Sequence, residues 1–149
     1  MNKKTKSGAT NYKRLKPFLL AVDACGGHFR FTSGEYMPLS IENLGYTDAD
    51  GHPVYGMMHF YIQNGDLMRD PDMTFSVNDE AGTICPLTYQ MDAMGIYQEV
   101  FRRGDDGRLL YVPRLLTDLD SFLRTWSTNI QDQGFNPAQA FQAPQTAND

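Results

Sequence analysis

YIQNGDLMRDPDMTF, residues 61–75, holds an Asn-Gly pair between two runs of strand-forming residues. Asn-Gly between alternating apolar residues is the strongest short hairpin signal, because a two-residue type I′ turn needs φ > 0 at both central positions. With Asn64 and Gly65 as the turn, Gln63 stands opposite Asp66 and the register runs outward from there. One face then carries Ile62–Leu67, Phe60–Arg69, Met58–Pro71, Gly56–Met73 and Val54–Phe75. The other carries Gln63–Asp66, Tyr61–Met68, His59–Asp70, Met57–Asp72 and Tyr55–Thr74. The first set is mostly apolar and the second mostly polar or amphipathic, and a one-residue slip would mix them. Pro71 has no N–H, so a bulge or a sheet edge is expected there.

That register brings His59 opposite Asp70. A carboxylate-oriented histidine is the arrangement of a general base or a ligand. It is equally a stabilising cross-strand pair on a sheet face. No nucleophile is placed beside it, which favours the structural role. Asp66, Asp70 and Asp72 spread along one strand instead of converging on a point, as a hard cation requires. Cys25, Cys85, His28 and His59 lack zinc-ligand spacing, and GxGxxG, P-loop, GxSxG and HExxH patterns are absent. No catalytic residue, metal or cofactor is assigned on this basis. The polar side of the hairpin, carrying Tyr55, His59, Tyr61, Asp66, Asp70 and Asp72, is the candidate face for a protein partner.

Outward from the hairpin the period-two pattern continues. Strands are expected over 28–33, 37–44, 54–63, 73–77, 84–91, 96–101 and 109–112, separated by short Gly-containing turns. Close spacing and short turns imply an antiparallel meander. A helical stripe (Tyr12, Leu15, Phe18, Leu19, Val22) precedes it, with Asn11 as N-cap, Pro17 as a kink or start, and Gly26-Gly27 as its end. A second stripe follows (Leu116, Leu119, Phe122, Leu123, Trp126, Ile130), with a capping box at Thr117–Asp120 and Gly134 just past its end. The expected fold is α+β: five to seven antiparallel strands between an N-terminal and a C-terminal helix. Residues 1–10 read as a flexible basic arm, 11–135 as one domain, and 136–149 as a disordered Ala/Gln/Pro-rich tail.

The 149 residues carry a net charge of -5, unevenly placed. Residues 1–16 hold Lys3, Lys4, Lys6, Lys13, Arg14 and Lys16 and no acid; the rest holds seven arginines against all 18 acids, a net -11. The arm is a weak candidate for phosphate contacts, while the acidic body repels nucleic acid and attracts basic proteins. Two cysteines make no disulfide framework. The apolar run 17–22 is short for a signal peptide, and no run approaches a membrane span, so a cytoplasmic protein without membrane contact is expected.

Four blocks carry a resemblance: SGEYMPLSIENLG (33–45), HFYIQNGDLMRDPDMTF (59–75), PLTYQMDAMGIYQEVF (86–101) and DLDSFLRTWSTNIQDQGF (118–135). With their NGDLMxDP and WxxNxxxQGF cores, they resemble a family of uncharacterised bacterial mobile-element proteins over roughly residues 15–135. The resemblance implies carriage on plasmids, integrative elements or phages, and brings no catalytic residue. The leading expectation is a small non-enzymatic interaction protein that binds a host protein and counteracts a defence system. The alternatives are a metal-binding or hydrolase-like protein using His59 and Asp70, and a nucleic-acid binder using the basic arm.

Overall fold

The computed structural model describes residues 5–142. Helix α1 (Lys6–Ala24) leads into β1 (His28–Phe31), β2 (Leu39–Thr47), β3 (Pro53–Gln63), β4 (Asp66–Asn78) and β5 (Thr83–Met91). Then come β6 (Ile96–Glu99), β7 (Phe101–Arg103), β8 (Leu109–Tyr111) and helix α2 (Pro113–Asp132). β1 to β6 form one antiparallel sheet in chain order, and β7–β8 form a separate two-stranded ribbon. This is the expected α+β meander between two helices. The strand expected over 96–101 divides at Val100, which is fully buried. There the Val100 N–H donates to the Leu87 carbonyl at 2.9 Å, and the Val100 carbonyl accepts from the Val112 N–H at 3.0 Å.

Both helices lie on the same face of the sheet. Leu15, Phe18, Leu19 and Val22 of α1 and Leu119, Leu123, Trp126 and Ile130 of α2 meet Phe31, Ile41, Met57, Met73 and Phe75 in one cluster. The apolar stripes read from the sequence are therefore the packing faces, as the helical period requires.

The helix ends differ from expectation, each for a local reason. α1 starts at Lys6 with Thr5 as its N-cap, whose Oγ1 accepts the Gly8 N–H at 2.8 Å. The added turn carries no apolar stripe because its contact is made by a glycine: a Cβ on Gly8 would stand 3.1 Å from the Ile84 carbonyl. Asn11 is consequently not a cap. It is fully buried and its Nδ2 donates to the Asp120 carbonyl at 3.3 Å. Pro17 sits inside the continuous helix on its exposed side; the stripe on either side holds the turn despite the missing N–H. α2 starts four residues before the expected box, with Pro113 at its first position, where a missing N–H costs nothing. Its end is as expected. Gly134 takes φ 88, and the Phe135 N–H reaches back to the Ile130 carbonyl at 3.2 Å, the bond of a Schellman motif. Beyond it, Pro137–Phe141 forms a 3-10 turn. Gln139 there brackets Thr32, accepting its backbone N–H at 2.8 Å and donating to its hydroxyl at 3.0 Å. Order thus extends past 136, where the tail was expected to begin. Residues 1–4 of the expected arm and 143–149 of the expected tail lie outside the described residues.

Candidate functional site: a cavity on the outer face of the sheet

The β3–β4 hairpin has the expected tip. Asn64 and Gly65 take φ 53 and 85, the signs of a type I′ turn. Gln63–Asp66, Ile62–Leu67, Tyr61–Met68 and Phe60–Arg69 pair as read from the sequence. The register then shifts: Met58 faces Asp72, Met57 faces Met73 and Tyr55 faces Phe75. Asp70 and Pro71, joined by a cis peptide, together oppose the single residue His59. The expected bulge at the proline is present, and it overturns the face assignment beyond it.

The candidate polar face is therefore split. Tyr55 and His59 turn toward the helices and are 3% and 7% exposed. The Tyr55 hydroxyl donates to Asp23 Oδ2 at 2.6 Å, and burial and that carboxylate raise its pKa. The His59 ring lies 5.5 Å from Trp126 and 5.7 Å from Phe135. Its Nδ1 sits 3.1 Å from the Met37 carbonyl and 3.2 Å from that of Pro38. Burial lowers the His59 pKa, so the ring is neutral at pH 7 with Nδ1–H donating to those carbonyls. Asp70 makes no hydrogen bond or ion pair with it among the described residues, so the expected His59–Asp70 pair does not form. Asp72 points to the opposite face beside Met58, and burial raises its pKa. Tyr61 is half-buried toward the tip and Asp66 is exposed there.

The basic residues are also partly engaged. Arg14 Nη1 donates to the Arg124 carbonyl at 2.9 Å, Ser127 Oγ at 3.3 Å and Thr128 Oγ1 at 2.6 Å, which ties α1 to α2. Lys16 pairs with Asp79 at 2.8 Å. Lys6 and Lys13 are exposed on α1, and Lys3 and Lys4 lie outside the described residues.

On the sheet face away from the helices lies a cavity of about 240 Å³. Alternation along β4 builds it: Phe75 and Val77 belong to the helix-side core, so Ser76 and Asn78 point outward. Ser76 faces Cys85 across the β4–β5 ladder, and Asn78 faces Thr83. The β2–β3 turn closes one side with Asp48, Asp50 and His52, and Glu99, Phe101 and Leu109 close the other. The turn is held by Asp48, whose Oδ1 accepts the N–H groups of Asp50 and His52 at 2.9 Å each. That is the Asx-type turn chemistry legible in TDADGHP, residues 47–53.

Most of the polar groups around this cavity are engaged: besides Asp48, Glu99 Oε2 accepts the Tyr97 hydroxyl at 3.0 Å, Asn78 Oδ1 accepts the Ala81 N–H at 3.0 Å, and the Thr88 and Thr74 hydroxyls meet at 2.6 Å. Ser76 is 3% exposed and its hydroxyl has no partner among the described residues. His52 Nε2 is buried without a partner. Cys85 is a free thiol, and burial, reinforced by the charges of Asp120, Asp48 and Asp50, pushes its pKa up to about 12. Such a thiol is protonated at neutral pH and a poor nucleophile. Ser76, Cys85 and His52 were read from the sequence only as strand and turn residues. A serine in the apolar run MTFSV (73–77) was the one available signal.

A family model described as a domain of unknown function, DUF6908, matches residues 10–136. The chain belongs to this family. Comparison with curated proteins and with solved structures yields no match. The DUF6908 span begins within α1 and ends one residue past Phe135, so it contains the whole sheet and every wall of the cavity. Among the described residues of this DUF6908 chain, no helix is long and apolar enough to cross a membrane.

Proposed function

We propose that this DUF6908 protein is a non-enzymatic interaction protein of a bacterial mobile element, engaging a basic host protein and so counteracting a defence system. The observation that carries the reading is electrostatic. Outside the first 16 residues, 18 acids face seven arginines, a field that draws in cationic surfaces and repels nucleic acid. Carriage on a mobile element rests on the sequence resemblance of the NGDLMxDP and WxxNxxxQGF blocks.

Two chemical observations favour binding over catalysis. The His59 Nδ1 is committed to two backbone carbonyls, and Cys85 is held as a neutral thiol. A nucleophilic thiol needs the opposite, a thiolate, and a base must reach its substrate, whereas the His59 ring is 7% exposed and packed against Trp126 and Phe135.

The test is capture from a bacterial host lysate on the immobilised chain, eluted by rising salt. The expected result is a protein with a basic surface, retained at low salt and released as screening increases. Reversing several exposed acids to lysine abolishes its retention. Failure to retain any salt-sensitive protein, or retention undiminished in the charge-reversed variant, would overturn the reading.

A further inference from the structure

We propose that Asp120 is a proton-operated latch: it holds the first two turns of α1 against α2 and lets them lift as its carboxyl ionises. The inference is independent of the partner proposed above.

The latch sits where α1 has no apolar anchor of its own. The side of this stretch that meets α2 and β5 carries Thr5, Gly8 and Asn11. The buried apolar stripe begins only at Leu15, and the half-buried Tyr12 sends its hydroxyl to Asp79 at 2.8 Å. Asp120 meets both ends of the polar stretch. The Thr5 hydroxyl donates to Asp120 Oδ2 at 3.2 Å, and Asn11 Nδ2 donates to the Asp120 carbonyl at 3.3 Å.

This seam is short of one donor. Asn11 is fully buried and Asp120 is 6% exposed, and the Oδ1 of each is buried without a partner. Native structures rarely leave such groups unmet. Turning the Asn11 amide round does not help, because Nδ2 would leave the Asp120 carbonyl and Oδ1 would face it. A carboxylate only accepts, whereas a carboxylic acid carries one O–H donor. A proton on Asp120 supplies the missing donor, and Asn11 Oδ1 is the acceptor left for it. Burial holds that proton, raising the Asp120 pKa to about 6 against the pull of the Thr5 hydroxyl.

Among the described residues, no cation beside Asp120 takes the proton's place. On α1, Lys6 and Lys13 are exposed, Arg14 is spent on the Arg124 carbonyl, Ser127 and Thr128, and Lys16 is spent on Asp79. On α2, Asp118 pairs with Arg114 at 4.0 Å and Arg124 is exposed. On β5, Tyr89 packs on Phe122, and Cys85 is a thiol whose pKa is raised by burial and by the charge of Asp120.

Linkage gives the direction. In the lifted segment Asp120 is solvated and returns to its ordinary 3.8. Docking is therefore fully supported below pH 3.8 and weakens by about tenfold per pH unit until pH passes about 6. Lys6 lies in the segment, and Lys3 and Lys4 precede it, so the latch governs how these basic residues are presented.

The experiment is amide hydrogen exchange on the full chain from pH 4 to pH 7, each rate divided by the intrinsic rate at that pH. A carbon-13 titration of the Asp120 carboxyl accompanies it. Expected is a carboxyl midpoint near 6. Protection at residues 9–11 falls by about thirtyfold or more across the range, and protection at 18–22 stays higher throughout. Asp120→Asn brings its own donors at every pH and flattens the fall to within about twofold. Asp118→Asn, at the exposed neighbour, keeps the parent's fall. Thr5→Val removes the hydroxyl that favours the carboxylate and moves the Asp120 midpoint upward; Thr5→Ser restores it.

A midpoint below about 5 would show that the carboxylate is solvated or holds a donor of its own, and would overturn the latch. So would a fall that persists undiminished in Asp120→Asn. Equal loss at 9–11 and 18–22 would mark global unfolding in place of a lifting segment. The Thr5 variants leave Asp120 in place, so an unmoved midpoint in Thr5→Val would sink the proposal even where Asp120→Asn fails to fold.

Discussion

The two faces of the six-stranded sheet bury neighbouring residues to opposite ends. On β4, Phe75 turns toward the helices and is fully buried, stacked 6.4 Å from Tyr55. Ser76, the next residue, turns away and is nearly as buried, yet borders empty space. On the inner face burial means contact on all sides, with dispersion and the removal of apolar area from water acting together. On the outer face burial means polar groups shielded from solvent around a void. The same degree of burial thus marks close packing on one side and a cavity wall on the other.

Breaking the inner face gives the largest effect. Phe75→Ala leaves a large cavity beneath both helices and costs about 3–5 kcal/mol, read as a fall in urea midpoint at unchanged slope. A loss under about 1 kcal/mol would mean that the helices close over the gap and the face is not close-packed.

A polar seam lies where the helices meet, and it sharpens the contrast through pH. Asp120 is 6% exposed, and burial raises its pKa from 3.8 to about 6, opposed only by the Thr5 hydroxyl donating at 3.2 Å. Its Oδ1 and that of Asn11 both lack a donor. A carboxyl with its pKa raised on folding stabilises the protein fully below pH 3.8, and that contribution disappears as pH rises through about 6. Asp120→Asn, which is never charged and brings its own donors, is therefore expected to be more stable than the parent at pH 7–8. The ceiling is about 3 kcal/mol. The advantage shrinks toward pH 4, and thermal melts across that range check it. An Asp120→Asn protein that gains nothing at pH 8 would mean that the carboxylate is solvated or paired.

His59 carries the opposite sign. Burial lowers its pKa below 6.5, so the unfolded chain takes up protons first and stability declines as pH falls below 6.5. The Asp120→Asn background removes one opposing group, and Asp72, whose pKa burial also raises, still opposes this acid-side loss. An imidazole titration followed by NMR is expected to show a midpoint below 6.5. A midpoint above it would place His59 in an ion pair after all, and would restore the pairing with Asp70.

How far the sequence reaches is clear from the hairpin. Four pairs next to Asn64-Gly65 were legible because turn type fixes register locally. Pro71 announced a bulge, but not how many residues it would consume. That single residue decides which face every later side chain takes. Reading straight through it placed Tyr55 and His59 on an open polar face, when Tyr55 reaches Asp23 of α1 and His59 lies against Trp126 of α2. The amphipathic pattern misled because Tyr, His and Met suit a buried face as well as a wet one. The helix stripes were legible because they repeat over several turns. The start of α1 was not, because its contact is made by Gly8, which carries no hydropathy signal. The cavity was hidden for a different reason. Its residues come from the 48–52 turn, β4, β5 and the segments around Glu99 and Leu109, and no local spacing joins them.

The smallest expected change in stability is the most informative about the outer face. Ser76 is 3% exposed and lines the cavity, and no hydrogen bond ties its hydroxyl to the described residues. Ser76→Ala therefore breaks no bond and removes only a few contacts along the cavity wall. The urea midpoint is expected to move by no more than about 0.5 kcal/mol equivalent. A loss above about 1 kcal/mol would show that the hydroxyl holds β4 to something, making Ser76 one more structural residue like Phe75. A near-neutral Ser76→Ala beside a costly Phe75→Ala would separate the faces cleanly, with adjacent residues on one strand reporting close packing on the inner side and a yielding cavity wall on the outer.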